Sequence, residues 1–85
     1  MRKNILVIAI KDKVEALRVA NGLSILHEVK VIAINGLNRD EPKITEQLEA
    51  MEFAEIPFLE VYTDDGDYGK FIGDLILQSE EVFII

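Results

Sequence analysis

The sequence predicts an α/β domain with one four-stranded sheet of mixed strand direction. An uninterrupted aliphatic run opens the chain, and two segments with helical spacing follow at intervals that suit crossover connections. The second half then holds two further apolar runs separated by turn residues. The chain has 85 residues, of which 49% are hydrophobic. We therefore expect one domain, spanning residues 1–85, with a modest core.

The first 35 residues predict a strand, a helix and a second strand. The run NILVIAI (4–10) is aliphatic throughout after its first residue, as suits a central strand buried on both faces. In residues 11–26, apolar side chains recur at i, i+3 and i+4, and this spacing is typical of an amphipathic helix. Asp12, near the start of the segment, is a good N-cap residue. The alternating segment 27–35 predicts the second strand. A crossover of this length favours parallel pairing of the two strands.

The second half predicts one more helix and two more strands. Residues 40–53 carry Pro42 near their start and apolar residues on one stripe, which indicates a helix. Residues 56–63 predict the third strand, and 68–76 the fourth. The Asp-Asp-Gly-Asp sequence between them predicts a hairpin turn. The expected order is thus β-α-β-α-β-β, followed by a short terminal element, with the last two strands antiparallel.

The three aspartates of that turn, Asp64, Asp65 and Asp67, could also bind Ca²⁺ weakly through their carboxylates. They lack the spacing and the terminal bidentate glutamate of a calcium-binding loop, so a plain turn is favoured.

This order of elements resembles the thioredoxin-like superfamily. The similarity is carried by Ile56-Pro57, where the family has a cis-proline, by the turn Asp65-Gly66-Asp67, and by a glycine at Gly73. Gly73-Asp74 is also similar to the corresponding pair of glutaredoxins. The sequence Ile72-Gly73-Asp74-Leu75 is similar to the KaiB clock family, which lacks the catalytic cysteines on this fold. The resemblance implies a thioredoxin-like domain over nearly the whole chain.

The chain departs from the family at the redox motif. Val14 and Leu17 stand where the two cysteines of Cys-x-x-Cys would be, and the sequence contains no cysteine. Thiol–disulfide exchange needs a thiolate and a sulfur leaving group. We therefore expect a redox-inactive, non-enzymatic protein without a cofactor.

The resemblance implies a surface that binds an extended peptide of another protein. In the family, the backbone next to the cis-proline pairs with the ligand chain. If Pro57 were cis, Ile56 would present that backbone. Alternatively, Val14 and Leu17 are simply core residues of an amphipathic helix. The expected partner-binding residues are Val14, Leu17, Ile56, Pro57, Gly73 and Asp74.

Charge is spread unevenly along the chain. Residues 1–39 hold seven basic and three acidic side chains, whereas residues 40–85 hold two basic and thirteen acidic ones. The acidic half disfavours nucleic-acid binding and favours a partner protein with a basic surface. A solvated acidic face is the alternative.

Several other classes of function are disfavoured by composition. With His27 as its one histidine and no cysteine, the chain offers little to a metal site or a catalytic triad. No apolar run is long enough to span a membrane, and the start of the sequence does not resemble a secretion signal, so we expect a cytoplasmic protein. The apolar segment 82–85 favours, as an alternative function, a structural domain that forms a homo-oligomer.

Overall fold

A computed structural model describes residues 2–64 and 66–85 of the chain. Within these residues, strands and helices alternate along the sequence. The elements are β1 (Asn4–Ala9), α1 (Lys13–Leu23), β2 (Glu28–Ile34), α2 (Pro42–Phe53), β3 (Phe58–Val61), α3 (Tyr68–Gln78) and β4 (Glu81–Ile84).

The described strands form one parallel sheet in the order β3-β2-β1-β4. Val7 of β1 lies between Val31 of β2 and Phe83 of β4, and Val31 is in turn in register with Phe58 of β3. The α/β class and a four-stranded sheet are confirmed, although the segment predicted as the fourth strand is a helix. The predicted mixed strand direction is wrong.

The sheet is covered on both faces. Helices α1 and α2 pack on one face, where Leu17, Ile44 and Met51 lie in the core with alternate residues of β1 and β2. Helix α3 covers the other face with Ile72 and Leu75, over a smaller cluster formed by Leu6, Ile8 and Ile32. No polar or charged residue is buried among those described. None of the described helices has the length and apolar composition needed to cross a bilayer.

The last third of the chain differs from the prediction. Residues 68–76, predicted as the fourth strand, belong to α3, and the expected short terminal element contains β4. The physical reason is topological. The chain must pass from β3, at one edge of the sheet, over β2 and β1 to the far side, and a helical crossover spans that distance with right-handed connectivity. β4 then pairs parallel with β1, not antiparallel with β3.

These differences affect the predicted turn and the family resemblance. Asp64, Gly66 and Asp67 lie in turns that lead into α3 and not in a hairpin, and Asp65 lies outside the described residues. The order of elements is β-α-β-α-β-α-β, so the predicted β-α-β-α-β-β order is wrong and the thioredoxin-like arrangement is not confirmed.

Local sequence signals mark the starts of the first two helices. The Asp12 side chain accepts a hydrogen bond from the Glu15 amide at 3.1 Å, which confirms the predicted N-cap of α1. α2 begins at Pro42, as predicted. At its other end Glu55 has φ of 57°, and the amide of Ile56 donates to the Met51 carbonyl. This is a Schellman cap, and its apolar contact fixes Ile56 against the core.

Replacing Leu17 tests the core on the α1 and α2 face. Leu17 is fully buried, so Leu17→Ala should lower the free energy of unfolding by about 2–5 kcal/mol, through lost burial and a residual cavity. Leu77→Ala is the matched control, because this leucine of α3 is 85% exposed, and we expect a change below about 0.5 kcal/mol. Urea unfolding of both variants measures the difference. Similar small effects would contradict the placement of Leu17.

Candidate functional site

Two of the predicted site residues belong to the core. Leu17 is fully buried, and Val14 is half-buried and packs against the same cluster. Both belong to the apolar packing on the α1 face of the sheet. The interpretation of these residues as core positions of an amphipathic helix is therefore the one that the packing supports.

Ile56 and Pro57 have different environments although they are neighbours in sequence. Ile56 is buried in the cluster under α2, whereas Pro57 is exposed directly before β3. The described residues contain no cis peptide bond, so the bond between Ile56 and Pro57 is trans. Backbone presentation through a cis-proline is thus not available at this position.

Gly73 and Asp74 lie on α3, which covers the opposite face of the sheet from α1. Gly73 is half-buried and Asp74 is exposed. The six predicted residues are consequently divided between the two faces and do not form one surface. Ile56 and Pro57 both line an open groove beside α2, and Pro57 also borders a second groove beside α3.

The strand that follows Pro57 has a free edge. β3 pairs with β2, and no described strand lies on its other side. The amides of Val31 and Asn35 donate to the carbonyls of Pro57 and Val61, so alternate residues of β3 face β2. The backbone N–H and C=O groups of Phe58 and Glu60, which lie between them, consequently point away from the sheet.

A groove borders this edge on the α2 side, and we call it the α2 groove. It encloses about 570 Å³. Its apolar wall contains Leu48, Pro57 and Phe58, and its acidic wall contains Glu49 and Glu52.

A second groove, the α3 groove, borders the same edge on the opposite face. It encloses about 340 Å³ between β3 and α3. Leu59 and Phe71 are large apolar side chains on its walls that remain 49% and 42% exposed. Lys30 of β2 supplies a cation at this groove. Since side chains alternate along a strand, Phe58 faces the α2 groove and Leu59 the α3 groove.

Glu60 fixes the loop after β2 to β3. Its carboxylate forms an ion pair with Arg39 and accepts a hydrogen bond from the Tyr62 hydroxyl at 3.1 Å. The hydrogen bond with Arg39 is the main reason that the pKa of the Glu60 carboxyl lies below its usual value, although partial burial acts in the opposite direction. Hydrogen bonds from Tyr62 and from the Leu37 backbone lower this pKa further. We call Arg39, Glu60 and Tyr62 the Glu60 clasp.

The backbone beside the clasp adopts a conformation that needs glycine. Gly36 has φ of 81°, and a Cβ at this position would lie 2.8 Å from the Tyr62 hydroxyl oxygen. The preceding Asn35 is also left-handed, with φ of 62°, and its side-chain oxygen accepts hydrogen bonds from the amide and hydroxyl of Thr63. This loop therefore joins the end of β2 to the end of β3 and sets the position of the β3 edge.

The place where open parallel sheets usually bind ligands is occupied by the chain itself. Strand order reverses between β1 and β4, and ligands of such folds lie beyond the carboxyl ends of the strands at this point. Here the amides of Ile10, Lys11 and Asp12 donate to the carbonyl oxygen of Ile85, at 3.1, 2.9 and 3.4 Å. The amides that would face a ligand are thus engaged by Ile85.

The described residues contain no cluster of three or more histidine or acidic side chains that could hold a metal ion. Of the three aspartates of the alternative calcium site, Asp64 and Asp67 lie in the turns before α3, and Asp65 lies outside the described residues. The chain matches no known protein-family model and no curated protein.

Sequence reasoning missed the residues that border the β3 edge. Leu59 and Phe71 are separated by a turn and become neighbours only because α3 crosses back over the sheet. Arg39 and Glu60 come together through the left-handed loop at Asn35 and Gly36. The one available signal was the run Phe58-Leu59, which shows that β3 is apolar on both faces.

Removing the Glu60 charge tests the clasp through its pH dependence. A carboxyl whose pKa is lower in the folded than in the unfolded chain stabilises the fold above the unfolded value, about 4.3, and loses that effect as pH falls through the folded value. We expect the free energy of unfolding to fall more for the wild type than for Glu60→Gln between about pH 6 and pH 3. Urea unfolding across this range provides the measurement. Parallel curves would contradict the clasp.

Proposed function

We propose that the protein is a non-enzymatic binding module that accepts an extended segment of a partner protein by strand addition on β3. The observation that carries the proposal is the free edge of β3 between the α2 and α3 grooves. In strand addition, backbone hydrogen bonds supply affinity, and pockets for alternate side chains supply specificity.

The backbone of β3 offers the hydrogen-bonding groups that an added strand requires. Phe58 and Glu60 each direct one donor and one acceptor away from β2. The Glu60 clasp holds the carboxyl end of this strand, and Pro57 marks the other end. An added segment would therefore meet a short, rigid edge.

The grooves accept side chains from both faces of an added strand. Residues that point toward the α2 groove meet Leu48 and Phe58, and those that point toward the α3 groove meet Leu59 and Phe71. Because side chains alternate along a strand, one extended segment fills both grooves at once.

Charge selects the kind of segment. Glu49 and Glu52 lie at the α2 groove. Arg39 also lines this groove, but it already forms an ion pair with Glu60. Lys30 lies at the α3 groove. Lysine or arginine residues directed toward the α2 groove would therefore be favoured, with their aliphatic stems against its apolar wall. Apolar residues would face the α3 groove. The partner segment is thus an alternation of basic and apolar residues.

The proposed site contains only part of the surface expected from the thioredoxin-like resemblance. Pro57 remains at the boundary of the site, but the backbone groups offered are those of Phe58 and Glu60, not those of Ile56. The sequence contains no cysteine for thiol–disulfide exchange, and the proposed binding at the edge requires no cofactor.

Binding of a defined peptide tests the proposed function. We expect the peptide Ac-KVKVKV-NH2 to shift the amide resonances of Phe58 and Glu60 in a nitrogen–proton correlation spectrum, and Ac-EVEVEV-NH2 to leave them unchanged. Glu52→Lys should weaken binding of the lysine peptide by roughly three- to tenfold, as expected for reversing one exposed charge. The control Glu46→Lys makes the same change in net charge on α2 away from the groove.

A second pair of variants tests the apolar contact. Leu59→Lys places a charge in the α3 groove and should abolish the shifts, whereas Leu77→Lys changes an exposed leucine of α3 outside the groove and should preserve them. Equal binding of the two peptides, or shifts centred away from β3, would contradict the proposal.

A further inference from the structure

The opposite edge of the sheet is also free and has a different character. β4 pairs with β1, and no described strand lies on its outer side. Ile84 is 66% exposed, and Phe83 and Ile10 beside it are also exposed. Natural edge strands are usually protected by charge, proline or a bulge. Residues 82–85 contain neither charge nor proline.

The hydrogen bonds of β4 show which groups face outward. The Ile85 amide donates to the Ile8 carbonyl, and the Ile10 amide donates to the Ile85 carbonyl. Alternate residues of a parallel strand bond to the same neighbour, so Phe83 also faces β1. The backbone groups of Val82 and Ile84 consequently point outward.

The outward backbone groups of Val82 and Ile84 can pair with the same groups of a second copy of the chain. Two β4 strands related by a two-fold axis through Phe83 would place Val82 opposite Ile84 of the second copy, with both pairs of backbone hydrogen bonds formed. Phe83 would then oppose Phe83 of the second copy in a pair without hydrogen bonds, where side chains come closest. The two Phe83 side chains would meet on the face of the sheet that carries α1, since Phe83 is in register with Val7.

The distribution of charge also permits two copies to pair in this register. The chain has a net charge of −7, so two copies repel each other except where acidic groups are absent or paired. Glu81 is the one charged residue of β4, and it forms an ion pair with Lys3 at 2.8 Å. In the two-fold register Glu81 opposes Ile85, and the two Glu81 residues lie roughly 14 Å apart, beyond the screening length at physiological ionic strength.

We infer that the protein forms a symmetric dimer through antiparallel pairing of β4, which joins two sheets into one of eight strands. The interaction is independent of the proposed function, because β3 lies at the other edge of the sheet. Few residues take part on each side compared with stable dimers, so association should depend on concentration.

Cysteine cross-linking tests the register, since the natural sequence has no cysteine. Opposed residues in a pair without hydrogen bonds have Cα atoms about 4.5 Å apart, within disulfide range. Phe83→Cys should therefore form a disulfide-linked dimer under mild oxidation. Ile84→Cys should cross-link much more slowly, because the two equivalent positions lie roughly 8–9 Å apart. Leu77→Cys, on an exposed part of α3, gives the rate of random collision.

Sedimentation of the unmodified chain provides the second measurement. We expect a mass that rises from monomer to dimer with concentration. Ile84→Pro, which removes an outward N–H and leaves the bonds to β1, should remain monomeric with an unchanged circular dichroism spectrum. A wild-type monomer at all concentrations would overturn the inference. So would equal cross-linking of Phe83→Cys and Leu77→Cys, or faster cross-linking of Ile84→Cys than of Phe83→Cys.

Discussion

The burial of β1 is the constraint on which the rest of the structure depends. Five of its six residues are buried, so the strand needs a neighbour on each side and a cover on each face. Parallel neighbours require crossovers, which places α1 and α2 on one face and α3 on the other. This arrangement leaves β3 and β4, of four residues each, as the two edges of the sheet. Both surfaces proposed for interaction are these edges, because the residues of a small domain cover its central strands and leave the edge strands open.

The first five elements could be predicted from local pattern, and the last two could not. Aliphatic runs, helical spacing and the start signals at Asp12 and Pro42 are properties of neighbouring residues, so they identify β1 to β3 within a few residues. In α3, Gly69 and Gly73 lower helix propensity, and Phe71-Ile72 favours a strand. The requirement that the chain return across the sheet is not local, and it decides in favour of a helix. The short sequence around Gly73 that resembled other families lies in that helix.

Of the predicted partner-binding residues, only Ile56 and Pro57 line the grooves of the candidate site. Leu17 and Ile56 are apolar residues whose spacing is the same whether they form a core or an exposed patch, and only packing distinguishes the two. Leu59 and Phe71 line one groove only because the folded chain brings them together, and no local pattern indicates that contact. The acidic half of the chain was recognised from composition, but its contribution depends on which carboxylates line a groove and which, like Glu60, are already paired.

Amide hydrogen exchange along β3 in the free chain tests most directly the claim that this edge is open. The structure predicts alternation: the amides of Leu59 and Val61, which face β2, should be protected, while those of Phe58 and Glu60 should exchange rapidly. Equal protection of all four amides would mean that another segment already covers the edge. That result would contradict the proposed site.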